Sequence, residues 1–350
     1  MNVIPGLLVA FALAVAGNFL ADRLALSLGL GAGAISGIMV AILLGLALGN
    51  LFKLPAALKP GIGFAVKRVL RLGIVLLGLK LSIVEVGSIG LKSLPVIMVT
   101  IPAAILIVTY LGRRLGLPDR LGTLIAVGTS ICGATAIVAT APTIGAHDDE
   151  VSYAVACITL FGVAAMLVYP FAAHQLFDAD SFRAGMFLGT AVHETAQVAG
   201  AGLVYQQYFS DPRALDVATV TKLVRNLSML IVIPLMAVIY HRRSVEGGEA
   251  PKWYTLIPLF IVGFAAMSAL RSAGDMGDRP FGILEPEQWK AIVGFVKQVA
   301  TWCLAIAMAA VGLGTSIHGL RRIGLKPLGV GLFSALVVGL VSTLLIKALY

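Results

Sequence analysis

Long apolar runs, each close to the length of a membrane-spanning helix, follow one another along most of the 350 residues. They lie at 3–20, 33–51, 62–84, 94–111, 119–145, 151–172, 182–206, 217–240, 254–271, 291–316 and 327–347. Because a helix needs about 20 apolar residues to cross a bilayer, the pattern predicts an all-α polytopic membrane protein with about 9–11 transmembrane segments. We expect residues 1–350 to form a single integral membrane domain.

Two of these segments differ from the others, because small and polar residues interrupt their apolar runs. The string GTSICGAT interrupts segment 119–145, and GTAVHETAQVAGAG interrupts segment 182–206. Irregular backbone at membrane depth is tolerated only where protein or a water-filled cavity satisfies its polar groups. We therefore predict two broken helices, which either cross the membrane fully or re-enter it as hairpins.

The chain also contains internal repeats. Residues 78–94 align without gaps to residues 312–328 with nine identities in seventeen positions, and both broken segments contain Gly-Thr, at 128–129 and 189–190. Repeats of this kind in transporters commonly have inverted topology, with the substrate held where the halves meet. An inverted repeat requires the two broken segments to enter the membrane from opposite sides. If each segment is a re-entrant hairpin, one membrane crossing separates them and they do enter from opposite sides, so inversion favours the hairpins.

Charged residues make up only 12% of the chain against 59% hydrophobic residues, whereas soluble domains carry roughly 25% charged residues. The net charge of +9 arises largely from basic clusters at 53–71, 113–120, 241–243 and 321–326. Lys and Arg collect at the cytoplasmic ends of membrane helices, which explains the basic balance without a nucleic-acid partner. The same rule predicts a cytoplasmic N-terminus and an external C-terminus.

The polar residues of the two breaks are the first candidate ligands. They are Ser130, Cys132 and Thr135 in the first break, and His193, Glu194, Thr195 and Gln197 in the second. Exposing such polar side chains to lipid costs free energy, so they must face a cavity or a protein partner. The N-termini of half-helices present free N–H groups and therefore suit an anion. His193 and Glu194 are candidates for handling substrate or proton. The alternative is a structural network in which Glu194 pairs with a lysine elsewhere.

A cationic face on segment 217–240 supplies the remaining candidates. Lys222, Arg225 and Asn226 stand at i, i+3 and i+4 and therefore share one side of a helix, with Thr221 beside them. An Arg fork and a Lys point charge near two helix N-termini suit an oxyanion. The alternative is that the two cations only extend toward the headgroup region of the bilayer.

Several strings, in order along residues 30 to 347, resemble the YeiH-like proteins, a bacterial inner-membrane group labelled as sulfate exporters. They are RLGIVLLGLKLS, GTSICGATAIVATAPTI, AVHETAQVAGAG, ATVTKLVRNLSM and VGLGTSI followed by IGLKPL. The resemblance implies a location in the bacterial inner membrane, sulfate or a related sulfur oxyanion as substrate, and export as the direction. It assigns no binding residues.

Together these features favour a secondary transporter, with the bilayer and a small inorganic or sulfur-containing anion as its partners. A proton or sodium ion is the expected coupling ion, and a homo-oligomer is left open. An anion channel would use the same broken helices, and an intramembrane enzyme could pair Cys132 with His193, or use His193 and Glu194 for a metal. Neither pair belongs to a recognised motif such as HExxH or GxSxG, so we predict no enzyme, cofactor or metal site.

Overall fold

A computed structural model describes residues 2–27, 35–241, 258–276, 279–315 and 325–350, and every regular element within them is helical. The basic residues Arg242, Arg243, Arg321 and Arg322 lie outside the described residues. Residues 316–324 of the second repeat copy lie outside them as well.

Fifteen α-helices occupy the described ranges. They are α1 (Ile4–Ser27), α2 (Gly37–Leu51), α3 (Lys59–Phe64), α4 (Leu70–Leu77), α5 (Ile83–Arg114), α6 (Asp119–Ser130), α7 (Ala134–Thr140), α8 (Asp148–Leu176), α9 (Ser181–Ala191), α10 (Thr195–Phe209), α11 (Arg213–Leu227), α12 (Met229–His241), α13 (Leu259–Gly274), α14 (Pro286–Gly314) and α15 (Leu325–Leu349). Within these ranges, six helical stretches are long and apolar enough to cross a membrane: α1, α5, α8, α11 with α12, α14 and α15. The other five predicted segments contain shorter or interrupted helices, so the prediction of an all-α polytopic membrane protein is confirmed.

Two helix boundaries differ from the apolar pattern. The run predicted at 62–84 ends with a 3-10 turn at Gly78–Lys80, and α5 begins at Ile83. The reason is a capping box: the Ser82 hydroxyl accepts from the Glu85 N–H, and the Glu85 carboxylate accepts from the Ser82 N–H. The run at 217–240 is interrupted at Ser228, whose hydroxyl donates to the Arg225 carbonyl at 2.6 Å.

The chain divides into two compact units. Unit 1 comprises Met1–Gly90, Leu203–Pro212 and Pro258–Ser316. Its helices approach closely at small residues: a Cβ at Gly45 of α2 would lie 2.6 Å from the Ala309 carbonyl of α14. A Cβ at Gly17 of α1 would lie equally close to Ala41 of α2. Such contacts are typical of helix packing in membranes.

Unit 2 comprises Leu91–Gly202, Arg213–Ile257 and Ile317–Tyr350 and contains the breaks of both segments, at 131–133 and 192–194. Gly185 and Gly189, one turn apart on α9, allow that helix to lie against α11. A Cβ at Gly185 or Gly189 would approach the carbonyl of Ala214 or Ala218 to 2.6 or 2.7 Å. This close approach brings the end of α9 beside the cationic face of α11.

The two copies of the stronger repeat lie at comparable points of the chain. The first copy, 78–94, covers the junction before α5 and the start of that helix. The second copy, 312–328, begins in the last turn of α14 and ends in α15. The first copy therefore follows the short helix α4 and leads into the long helix α5, and the second lies between the long helices α14 and α15, while the inverted topology remains a prediction.

Candidate functional site

The first broken segment turns back on itself between α6 and α7. Gly133 adopts a left-handed φ of 72°, which suits glycine, and its N–H donates to the Gly128 carbonyl at 2.9 Å. A Cβ at Gly128 would lie 2.7 Å from Cδ1 of Ile137. In a straight helix those two residues would be about 13.5 Å apart along the axis. This geometry favours the hairpin version for segment 119–145.

The second break separates α9, which ends at Ala191, from α10, which begins at Thr195. Gln197 organises the start of α10: its Oε1 accepts from the Glu194 N–H at 3.1 Å, and its Nε2 donates to the Thr159 carbonyl at 3.1 Å. Both ends of this buried amide are used by the protein. Gln197 therefore holds the break in place, and the membrane path of segment 182–206 remains a prediction.

Lys222 binds the backbone carbonyls of both breaks. Helix ends leave such carbonyls without intrahelical partners. The Lys222 ammonium is fully buried and donates to the carbonyl of Ile131 at 2.8 Å, to that of Val192 at 2.9 Å, and to that of His193. All three of its N–H donors are occupied, so Lys222 can act on an anion only through its charge.

Arg225, also fully buried, binds the same two helix ends with three different nitrogens. Nε donates to the Ser130 carbonyl at 2.7 Å, Nη1 to the Val192 carbonyl at 3.1 Å, and Nη2 to the Thr129 carbonyl. Because a guanidinium carries five N–H groups, two remain for another acceptor. The positive charges of Lys222 and Arg225 also interact favourably with the negative ends of the helix dipoles of α6 and α9.

Glu194 lies at the opposite kind of helix end. Its carboxylate accepts from the Thr159 hydroxyl at 3.1 Å and from the backbone N–H of Ala134 at the start of α7. Gly133 makes room for it, since a Cβ there would lie 2.3 Å from Cγ of Glu194. Glu194 is half-buried, so it lies at the accessible edge of the cluster.

Three buried side chains of the cluster have hydrogen-bonding atoms without partners. Within the part of the chain that the structure describes, both ring nitrogens of His193, the hydroxyl of Thr221 and Oδ1 of Asn226 have no hydrogen-bond partner, although all three residues are buried. Buried polar groups are nearly always hydrogen-bonded, so these atoms need an explanation such as water or a ligand. The Asn226 amide nitrogen donates to the Thr195 hydroxyl at 3.1 Å and thereby links α11 to α10.

The structure brings most of the predicted site residues together, with different roles. Burial of Lys222 and Arg225 excludes the alternative that they extend toward the headgroup region. Ser130 donates its hydroxyl to the Ala126 carbonyl at 2.6 Å, and Cys132 donates its thiol to Sδ of Met229 at 3.1 Å. Thr135 is exposed on α7.

Thr159 of α8 is the functional candidate that sequence reasoning missed. It binds the Glu194 carboxylate with its hydroxyl and the Gln197 amide with its carbonyl. A single threonine within an apolar run carries no signal of that role. Gly133 was detectable, because a glycine inside an interrupted helix is typical of a positive φ.

The Gly-Thr echo between the breaks has a structural counterpart. The Thr129 hydroxyl donates to the Ile125 carbonyl and the Thr190 hydroxyl to the Met186 carbonyl, both four residues back and both at 2.8 Å. Two residues after each threonine, the carbonyls of Ile131 and Val192 both accept from Lys222. The breaks thus present matching backbone groups to one side chain.

Comparison with known proteins places the chain in a family. The family model described as conserved hypothetical protein 698 matches residues 5–331. A UPF0324 membrane protein of Fusobacterium nucleatum is 34% identical, covering 90% of this chain and 91% of its own. The UPF0324 membrane protein of Chlorobaculum tepidum is 32% identical, with the match covering 93% of this chain and 84% of that protein. That of Corynebacterium glutamicum is 37% identical, with the match covering 84% of this chain and 79% of that protein. No solved structure matches. The chain therefore belongs to the UPF0324 membrane protein family, the YeiH-like group that its motifs resemble.

Proposed function

We propose that this protein is a secondary transporter that binds a small anion in unit 2, at the meeting point of its two broken helices. The observation that carries the proposal is the imbalance of charge there. Among the described residues, two fully buried cations, Lys222 and Arg225, share this cluster with one carboxylate, that of Glu194. A buried charge is unfavourable unless it is paired, so the cluster favours one further negative charge.

The dipoles of the broken helices leave this imbalance in place. Lys222 and Arg225 bind the C-terminal ends of α6 and α9, which each carry about half a negative charge. Glu194 lies at the N-terminal ends of α7 and α10, which carry partial positive charge of similar size. The four ends offset one another to first order, and the excess positive charge of the side chains remains.

The groups available to the anion are those with unused donors. Arg225 has two N–H groups left, and His193 and Thr221 can donate a hydrogen bond from atoms that have no partner among the described residues. Thr221 precedes Arg225 by four residues, so both lie on the same side of α11. Direct contacts would come from these three residues, while Lys222 would act through its charge.

The charge balance also bears on the coupling ion. A monoanion would neutralise the excess, whereas a dianion such as sulfate would leave one negative charge. Binding a dianion therefore calls for an accompanying proton, for which Glu194 at the accessible edge is the candidate carrier. Sulfate or a related sulfur oxyanion, which the family resemblance implies, therefore fits this charge balance as a dianion only together with a proton.

The proposal that the protein exports sulfate rests on the family label, since the printed names of the relatives say only that they are membrane proteins. The test is uptake of labelled sulfate, sulfite and organosulfonates by proteoliposomes and by inverted membrane vesicles. A transporter gives saturable uptake that is accelerated by unlabelled anion on the opposite side. Large single-channel currents without such counterflow would instead identify a channel.

The same assay addresses an intramembrane enzyme. If Cys132 acted as a nucleophile, Cys132→Ala would abolish function. We expect the variant to retain transport, because among the described residues the thiol is hydrogen-bonded to the sulfur of Met229 and to the backbone of Ala136, neither of which could act as its base. Complete loss of transport in a correctly folded Cys132→Ala protein would count against the proposed function.

A further inference from the structure

Three backbone carbonyls converge on one nitrogen in unit 2, and they come from both broken helices. The carbonyl of Ile131 belongs to the first break, and those of Val192 and His193 belong to the second. Those of Ile131 and His193 lie just beyond a helix end and depend on this nitrogen among the described donors, whereas that of Val192 also accepts from Nη1 of Arg225. The nitrogen at their centre is Nζ of Lys222, which reaches them from α11.

The arrangement matches the shape and charge of a monovalent cation. An ammonium group has three donors and no acceptor, and here three acceptors surround it. Two of the three carbonyls, those of Ile131 and Val192, occupy matching positions of the Gly-Thr echo. The three carbonyl oxygens of Ile131, Val192 and His193 thus form a seat for a cation between the two breaks. The side chain of Lys222, from a third helix, fills this seat.

Broken helices in secondary transporters commonly use unwound carbonyls and half-helix C-terminal ends to coordinate a sodium ion or a proton. In this protein the same kind of backbone oxygens surround a charge that is covalently attached. We propose that the Lys222 ammonium is a tethered cation, which fills a monovalent-cation seat between the two breaks in place of a free ion. The protein therefore holds its two breaks together without bound sodium.

On the proposed function, the filled seat also bears on coupling. If the protein transports an anion, sodium has no seat at this position and cannot drive transport from it. Of the two coupling ions expected from the sequence, the structure then favours the proton. The seat itself does not depend on transport and can be tested by protein stability alone.

The test removes the tethered charge and offers free cations in its place. Purified Lys222→Ala is unfolded thermally in choline chloride, sodium chloride, potassium chloride or methylammonium chloride at equal ionic strength. Methylammonium carries the same head group as the deleted side chain, and choline is too bulky for a seat of three carbonyls. We expect the unfolding midpoint to rise by about 3 °C or more with methylammonium or sodium, in a saturable manner, and not with choline.

Wild-type protein and Lys297→Ala are the matched controls. Lys297 is an exposed lysine on α14, so its removal leaves the seat filled. For each of these two proteins, the unfolding midpoint should be the same in all four salts. A folded Lys222→Ala protein that is indifferent to the cation would overturn the proposal, as would a wild-type protein that is stabilised specifically by sodium.

Lys222→Gln is the second variant if Lys222→Ala fails to fold. It keeps two N–H donors near the carbonyls but lacks the charge, and it should show a smaller response to the same cations. If neither variant is recovered, the wild-type protein decides: equal stability in sodium and choline supports the tethered cation, and sodium-specific stabilisation contradicts it. None of these readouts measures transport, so failure of the transporter proposal and failure of the cation seat remain distinguishable.

Discussion

Arg225 offers the most direct test, because its fork is expected to serve both the backbone and an anion. Three different nitrogens bind the carbonyls of Ser130, Val192 and Thr129. In Arg225→Lys the charge stays, but a single ammonium cannot match that planar geometry. At least one buried carbonyl then loses its donor, which costs about 1–3 kcal/mol, so the unfolding midpoint should fall by several degrees.

Arg225→Gln removes the charge as well as the fork. We expect its stability to fall at least as far as that of Arg225→Lys, and its affinity for the anion to fall much further. Loss of a charge-assisted hydrogen bond costs about 1.5–3 kcal/mol, which corresponds to a roughly ten- to hundredfold increase in the dissociation constant. The charge-conserving Arg225→Lys should lose less affinity than Arg225→Gln.

The measurements are thermal unfolding in detergent and the affinity for sulfate or sulfite from ligand-induced stabilisation or calorimetry. Arg114→Gln serves as the control, because Arg114 is an exposed arginine at the end of α5. Unchanged stability in both Arg225 variants would refute the structural role. Unchanged affinity in Arg225→Gln would refute the anion contact, and equal losses in the two variants would show that charge is not what the site requires.

Two further predictions concern the second break. Glu194→Gln should still bind the anion, because the amide oxygen can accept the same hydrogen bonds as the carboxylate. Its transport in proteoliposomes should no longer respond to a pH gradient, and retention of that response would exclude Glu194 as the proton carrier. Gly162→Ala should lower the unfolding midpoint, because the new Cβ would lie 1.9 Å from Oε1 of Gln197, whose two ends are both bonded. Gly294→Ala on α14, where the added Cβ meets nothing within 4 Å, should instead be neutral or stabilising.

Much of the fold follows from the apolar pattern, because at membrane depth every backbone group needs an internal partner and helices satisfy it locally. For the same reason the two breaks could be located from their glycines and polar residues, and they lie at 131–133 and 192–194. The start of α5 at Ile83 was missed although its capping box, Ser82 with Glu85, was readable. The interruption at Ser228 was not readable, since a serine in an apolar helix usually leaves it intact.

The candidate site was predictable in its residues but not in its contacts. The sequence places Lys222, Arg225 and Asn226 on one face, and the structure shows that face against both breaks. Spacing along α11 cannot reveal that backbone carbonyls from two other helices lie within reach of both cations. For that reason the sequence predicted an anion contact for Lys222, where the structure shows three bonds to carbonyls.

The architecture accounts for most of the polar cluster but not for all of it. Two cations at helix C-termini and one carboxylate at helix N-termini satisfy the four ends that two broken helices create within the membrane. A purely structural cluster could stop there, with every buried atom bonded. The ring of His193, the hydroxyl of Thr221 and Oδ1 of Asn226 are instead buried without partners beside Arg225. An anion that enters the cluster would accept from one ring nitrogen of His193 and from the Thr221 hydroxyl, whereas Oδ1 of Asn226 is itself an acceptor and needs a donor such as water. Occupancy by an anion beside these donors, rather than by water alone, would separate a binding site from a structural one.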